Sequence, residues 1–594
     1  MAFLGKDGKY PRSYIIDANL TYRNPFQIID SENFSILLKE ILEILDEKDD
    51  ESLGFFKEYF LIDATSNKID EKYDIKRIID LILILSFKTP EYIYENYGID
   101  LLKHRKAFLN FIEILYNHWR NKHRFIIKKE RYTSNISTRL STSYSLIKVN
   151  NDFKDMVRDV YRQVSFNTSG ETPKVLRQLP SGAQVSFLAD KMRVPKNHRF
   201  KNQWLYEPLI VWNVIFEPPV IFYTLSNKRQ GIFPVKKRNI LSELKLPRTQ
   251  WLCIPINVGR MLFYIYVHME FLALGAGVTN LFEIADMKEV MTKKPDGIVI
   301  FGVPEEMIGD DEKRGAVFID EEENMIVGVI PFSPENDYFG YMKKNTLTVH
   351  NLKVIEKGNL PVHGALARVR LVNGKSSYIL LVGDSGAGKS ETLEALNRYQ
   401  EVSMVDIIFD DMGSLEIHDG KVVAFGTEVG AFVRLDDLPP GYAYSTIDRS
   451  VFMNPDSVNA RVIVPFNNFS EIIKPSRIDY VFYANNYTKV SEGEDEIRFF
   501  KNVDEALEVF SKGARMAKGT THERGITTSY FANPFGAIQM REKHHEIAIK
   551  FFNQMFKTGI KIGELKTSLG IPGYEYEGPL RAAKRLIKLI NEGK

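Results

Sequence analysis

The chain is almost without cysteine. Cys253 is the only one among 594 residues, so no disulfide can close within the chain and no cysteine-based zinc site can be built. That suits a reducing compartment, and a cytoplasmic location is expected. An excess of charge is missing too: 79 Lys and Arg stand against 77 Asp and Glu, a net charge of +2. A general nucleic-acid surface is therefore not indicated, while a local basic pocket stays open. Long apolar runs are also absent. The most apolar stretch, Met261 to Val278, carries His268 and Glu270 near its centre. A membrane span needs about 20 apolar residues, and a Glu inside one is costly. The stretch therefore reads as a core helix, and no membrane partner is expected. The opening residues MAFLGKDGKYPRSY hold no continuous apolar stretch and no small-residue cleavage site, so no signal peptide is expected.

What is present is an ordinary globular composition, 44% hydrophobic and 26% charged, which excludes a disordered chain. At roughly 100–200 residues per domain, the length suggests two to four domains. The first 150 residues read as mostly helical: ENFSILLKEILEILDEK, KRIIDLILILSF and HRKAFLNFIEILYNHWRNKHR space their apolar residues helically. They carry no chemical motif and read as a packing or oligomerisation layer. Thr133 to Ser145, rich in Ser and Thr, reads as a linker. From about Val164 the texture changes. VSFLA, LIVWNVIF, GIVIFG, AVFI, MIVGVIPF, ILLVG and DYVFYA alternate with helical segments, an α/β or mixed α+β pattern.

One motif stands out. Tyr378–Val382 is a short apolar run, followed by Gly383, Asp384, Ser385, Gly386, Ala387, Gly388, Lys389 and Ser390, which satisfy G-x-x-x-x-G-K-[ST]. Glu391 to Tyr399 then favours helix, so the motif lies in the strand–loop–helix context it requires. Its glycines let backbone N–H groups converge on phosphate oxygens, and the helix N-terminus adds its positive dipole end. Lys389 offers a charge for the β- and γ-phosphates, and Ser390 a hydroxyl for a divalent cation. Downstream, VDIIFDDMGSLE places Asp410 and Asp411 together. One carboxylate can bind metal, while the other holds a metal-bound water or acts as base.

GDSGAGKSE resembles the phosphate loops of two related groups, the bacterial HPr kinases and the ATP-dependent phosphoenolpyruvate (PEP) carboxykinases. The rest of the chain resembles the carboxykinases. DYFGYMKKNTLT retains Tyr338, Gly340, Met342, Lys343 and Lys344 of the segment Y-x-G-E-M-K-K-G, and His363 in PVHGA follows at the family spacing. KPDGIVIFG, NARVIVP, EVGAFVRLD and GTTHERGITTSYFANPFGA resemble further family segments in the family order. RVPKNHRF resembles R-S-P-K-D-K-[YF]. The resemblance covers about residues 180 to 590. It implies a two-domain fold: a substrate domain over 151–356 and a mononucleotide-binding domain with the phosphate loop over 357–594, preceded by a helical extension over 1–150. The departures are Tyr341 for Glu, Ala460 for Thr, GALAR after His363, and a segment between Thr527 and Phe535 that is about two residues short. They bear on nucleotide selectivity more than on chemistry.

The implied activity converts oxaloacetate and ATP to PEP, ADP and CO2. The resemblance assigns Lys344, His363 and Asp411 to a Mn²⁺ site, and Ser390 with Lys389 to the Mg²⁺ nucleotide. Arg193 and Arg461 would meet substrate carboxylate and phosphoryl oxygens, and Tyr338 and Ser385 the substrate or CO2. Asp410 would assist the metal or serve as base, Glu428 would meet the ribose, and Arg524 the nucleotide. His350, His418 and His544 read as structural. Two other readings stay open: a kinase of another small acid or of a protein serine, and a non-catalytic nucleotide-binding protein whose helical extension binds a partner.

Overall fold

The computed structural model describes residues 13–17, 24–121, 124–128, 136–170, 184–192, 200–229, 231–244, 246–438, 446–447, 450–491, 493–517 and 525–593. Arg193 and Arg524 lie outside these. The chain divides into two compact units, Met1–Lys191 with Leu209–Val220, and Met192–Pro208 with Ile221–Lys594.

The first unit is built on amphipathic helices. Glu32–Glu47 starts where the Ser31 side chain accepts the Phe34 N–H, and Ile75–Leu85 where Asp74 accepts the Arg77 N–H, each cap satisfying a backbone donor of the first turn. Their apolar stripes, with that of Arg105–Asn121, enclose Phe34, Leu38, Phe56, Ile78, Phe108 and Phe111. Two features depart from the expectation. Residues 136–145 are not a linker but the first part of one long helix, Ile136–Ser169, which also runs through the boundary expected at 150. Their Ser and Thr are weak helix formers, and the apolar side of the continuing helix (Phe153, Val157, Val160 and Val164) packs into the core. The unit also contains strands, with Ser13–Asp17, Arg124–Lys128 and Val185–Lys191 pairing in parallel.

The second unit is mixed α/β with several sheets. In one, Trp251–Val258, Met261–His268, Gly297–Val303, Met325–Pro331, Ala316–Asp320 and Val235–Lys237 lie side by side in that order. Met261–Val278 is therefore not one core helix. Its first eight residues form a fully buried strand, and helix begins only at Leu272. The run Phe263-Tyr264-Ile265-Tyr266-Val267 is aromatic and β-branched, a composition that favours strand whenever both faces are covered. Helix Phe339–Glu356 packs across Gly297–Val303 and Met325–Pro331 and is buried along most of its length.

A second sheet orders Ser476–Arg477, Lys421–Gly426, Val402–His418, Leu360–Leu371, Ser376–Val382, Tyr480–Asn485, Lys561–Lys566 and Ile497–Phe499. Its centre carries the glycine-rich segment. Ser376–Val382 delivers the chain into the 383–388 loop, and helix Lys389–Leu396 leaves it. A smaller antiparallel group holds Gly430–Arg434, Arg461–Pro465 and Val451–Met453. Among the described residues, no helix is long and apolar enough to cross a membrane.

Candidate functional site

A cleft of about 2010 Å³ opens in the second unit. It is larger than the roughly 300–1,000 Å³ of a single small-molecule pocket, so it has room for a nucleotide beside a second substrate. Tyr338, Lys344, Asp384, Ser385, Gly386, Lys389, Ser390, Asp410, Asp411 and Arg461 all line it.

The 383–388 loop is held from behind. Gly386 and Gly388 adopt φ of +77° and +90°, conformations that glycine takes without strain. At Gly388 a Cβ would stand 2.5 Å from Thr567 Oγ1, whose hydroxyl donates to the Ala387 carbonyl at 2.7 Å. The Gly383 N–H donates to the His363 carbonyl at 3.0 Å. Lys389 is buried, its Nζ donating to the carbonyls of Gly383 at 2.7 Å and Asp384 at 3.1 Å. Ser390 Oγ lies 2.9 Å from both carboxylate oxygens of Asp410. Burial pushes the Asp410 carboxyl up, against the opposing pull of Lys389. The Ser385 N–H donates to its neighbour Asp384 at 2.7 Å, and Asp384 also accepts from Arg515 Nε at 2.8 Å.

Adjacent carboxylates on a regular strand point to opposite faces. Asp410 and Asp411 nevertheless both line the cleft, and Asp411 departs from regular strand geometry with φ of +113°. A positive φ within a strand re-aims the side chain in this way, at a strain cost that is characteristic of functional sites.

Asp411 is the hub of the neighbouring wall. Its Oδ1 lies 2.9 Å from His363 Nε2, and its Oδ2 3.2 Å from Lys344 Nζ and 2.6 Å from Lys343 Nζ. Burial alone would raise its pKa, but Lys343, Lys344 and His363 outweigh that and hold it well below the usual carboxylate range. Lys343 also pairs with Glu428 at 2.8 Å, and both are fully enclosed. Burial works against the Lys343 charge, yet the two carboxylates win and raise its pKa. Glu428 is pushed up to about 7 by burial, with Lys343 opposing. It therefore sits behind the cleft wall, not among the lining residues. Lys344 shifts the other way. Burial lowers it, and its Nζ stands 4.4 Å from the centre of the Phe535 ring.

The residues assigned to a metal fit one. His363 Nδ1 is 2.6 Å from the Ala532 carbonyl oxygen, which can only accept, so Nδ1 carries the hydrogen. In a neutral imidazole that leaves the Nε2 lone pair facing a carboxylate oxygen at 2.9 Å. Two acceptors at that distance need a cation between them, either a proton or a metal ion. The separation also matches neighbouring corners of an octahedron with bonds of roughly 2.1 Å. A lysine whose pKa is lowered by burial can offer a neutral amine, completing an N,N,O set suited to Mn²⁺. Among the described residues, no group of three or more His, Cys, Asp and Glu side chains gathers. The set here contains only two of those types, the third donor being a lysine.

Tyr338 caps the start of Phe339–Glu356. A Cβ at Gly340 would fall 2.3 Å from its ring, so the glycine keeps the ring in place. Phe432 braces both Tyr338, at 6.1 Å between rings, and the Arg461 guanidinium, 5.6 Å from its centre.

Arg229 was not anticipated. Its guanidinium lies in the cleft between Phe233 and Phe535, 5.5 and 5.2 Å from the ring centres, and bonds to the Gly231 carbonyl. Burial lowers its pKa, with Tyr341, Tyr338 and Asp384 nearby. It has no carboxylate partner among the described residues. It lies in SNKRQGIFP, a segment without periodicity or motif, so the sequence offered no signal for it. Neither a scan against family models nor a search of curated proteins returns a match for this chain.

Proposed function

We propose that the chain is a PEP carboxykinase-like enzyme, converting oxaloacetate and ATP to PEP, ADP and CO2 in a two-domain carboxykinase fold. One observation carries the reading: Lys344 and Asp411 line the same cleft as the Lys389–Ser390 loop, with His363 buried directly behind Asp411. A plain nucleotide-binding protein has no use for the first set. A kinase of another acid has no evident use for a neutral lysine among the donors.

The reaction breaks the C–C bond to the departing CO2 and leaves the electron pair on the enolate of pyruvate. The enolate oxygen then attacks the γ-phosphorus and ADP leaves. Lys344, His363 and Asp411 would hold a divalent ion, which would supply positive charge where negative charge develops on the enolate oxygen. Arg229 and Arg461 hold the carboxylates and the phosphoryl oxygens, each able to make paired contacts that fix orientation. Tyr338 presents its ring edge and hydroxyl to the departing CO2. The loop amides and Lys389 take the β- and γ-phosphates, and Ser390 with Asp410 serves the nucleotide's own cation. Phe432, Phe535 and Tyr338 keep that end of the cleft apolar, which protects the enolate from protonation to pyruvate.

The test is PEP formation from oxaloacetate with ATP, GTP or pyrophosphate under Mn²⁺, beside a panel of other acids. ATP-dependent PEP production is expected. ATP binding without PEP, or turnover of a different acid, would sink the reading.

A further inference from the structure

The cleft runs on past the phosphate loop to basic side chains that the proposed chemistry does not use. Arg368, on Leu360–Leu371, stands directly across the sheet from Tyr378 on Ser376–Val382, and both line the cleft. The Arg368 and Arg477 guanidinium groups lie 5.8 and 5.1 Å from the centre of the Tyr378 ring. Arg368 Nε is shut away from water with no hydrogen-bond acceptor. Asp406 faces Arg368 in register on the next strand but makes no ion pair with it. Arg477 is 62% exposed and paired only at 3.4 Å, with Asp479. Lys474 lines the same end, already engaged by Glu471 at 2.5 Å.

A half-buried guanidinium on an aromatic ring, with a sealed N–H and no acceptor, is an ion pair lacking its anion. An oxyanion supplies what is missing. The place is also distinct from the phosphate loop. Arg368 lies four positions along its strand from Gly364, which pairs with Val382 at the mouth of the loop. At about 3.3 Å per residue, that is a separation of roughly 13 Å.

We propose that Arg368, Tyr378 and Arg477 form a second anion site that takes the phosphate group of a small ligand while the loop holds its nucleotide. Phosphate suits the group better than carboxylate. Its tetrahedral oxygens can meet two arginines and the Tyr378 hydroxyl together, whereas a carboxylate offers two oxygens in one plane.

The experiment is calorimetric titration of the full chain with inorganic phosphate, the loop being filled with a non-hydrolysable ATP analogue. A parallel titration uses Lys389→Ala, which cripples the loop. One phosphate is expected to bind in both. Arg368→Gln should weaken that binding tenfold or more, and Arg477→Gln severalfold; the exposed position of Arg477 leaves folding intact. Because no turnover is involved, the outcome is independent of the carboxykinase reading. Displacement of phosphate by the nucleotide analogue, loss of binding only in Lys389→Ala, or unchanged affinity in Arg477→Gln would overturn the proposal.

Discussion

His363 Nε2 and Asp411 Oδ1 stand 2.9 Å apart, while the other ring nitrogen of His363 is committed to the Ala532 carbonyl. The contact requires a cation between imidazole and carboxylate, and Lys344 reaches the same carboxylate. Replacing His363 with Gln removes one donor and leaves the phosphate loop untouched. ATP with Mg²⁺ should then bind almost normally, while Mn²⁺-dependent PEP formation falls on the order of a hundredfold or more, as several kcal/mol of transition-state stabilisation are lost. Paired nucleotide titrations and rate measurements check this, and near-normal turnover would remove the metal assignment.

Arg229→Gln tests the cation that the sequence did not announce. Its partners on the protein are aromatic faces and one carbonyl, so a substrate carboxylate is its expected counterion. The KM for oxaloacetate should rise by roughly tenfold to a hundredfold, the loss of a charge-assisted contact. The Kd for ATP should stay within about twofold. An equal loss of both affinities would place Arg229 in the architecture of the cleft and not in substrate binding.

Gly388→Ala probes the loop's backbone. The positive φ and the 2.5 Å approach to Thr567 Oγ1 leave no room for a methyl group without moving the loop. Nucleotide affinity should fall by about tenfold or more, equivalent to roughly 1.4 kcal/mol of misplaced amides. Fluorescence titration with a labelled nucleotide reads this directly. Thr567→Ala in the same background should recover part of the loss by opening space.

Acid stability follows from buried imidazoles. Burial lowers the pKa of His268, His350 and His544 from 6.5 to about 4 in each case. Above 6.5 all three are neutral in folded and unfolded chains alike. As pH falls from about 6.5 toward 4, only the unfolded chain gains their protons, so stability drops through that window. His544 lies edge-on to Tyr530 and Phe531 at 5.4 and 4.8 Å. His544→Phe keeps an aromatic ring there and should flatten the Tm-versus-pH curve between pH 6.5 and 4. A curve as steep as that of the parent chain would assign the acid sensitivity elsewhere.

The local pattern of the chain was enough to mark the strand–loop–helix around residues 383–388, because its requirements are local: glycines where φ turns positive, a preceding apolar strand and a following helix. The short β runs after Val164 were equally legible, each being a β-branched or aromatic segment bounded by turn residues. Met261–His268 was misread because a continuous apolar run has no period, so strand and buried helix look alike until neighbours cover both faces. The helix Ile136–Ser169 was missed for the opposite reason, since its first residues are weak helix formers and its packing side only begins farther along. Tertiary structure alone decided the rest. Lys343 and Lys344 are neighbours of the same chemical type, yet Asp411 and Glu428 outweigh burial and raise the pKa of the first, while burial prevails and lowers that of the second. Asp410 and Asp411 share a cleft because a positive φ at Asp411 breaks the alternation of their strand. Arg229 and Arg368 line the cleft with no carboxylate partner among the described residues. Each of these properties depends on which charges, rings and carbonyls are brought within a few ångströms by residues distant in the chain. Such proximity leaves no trace in spacing or composition.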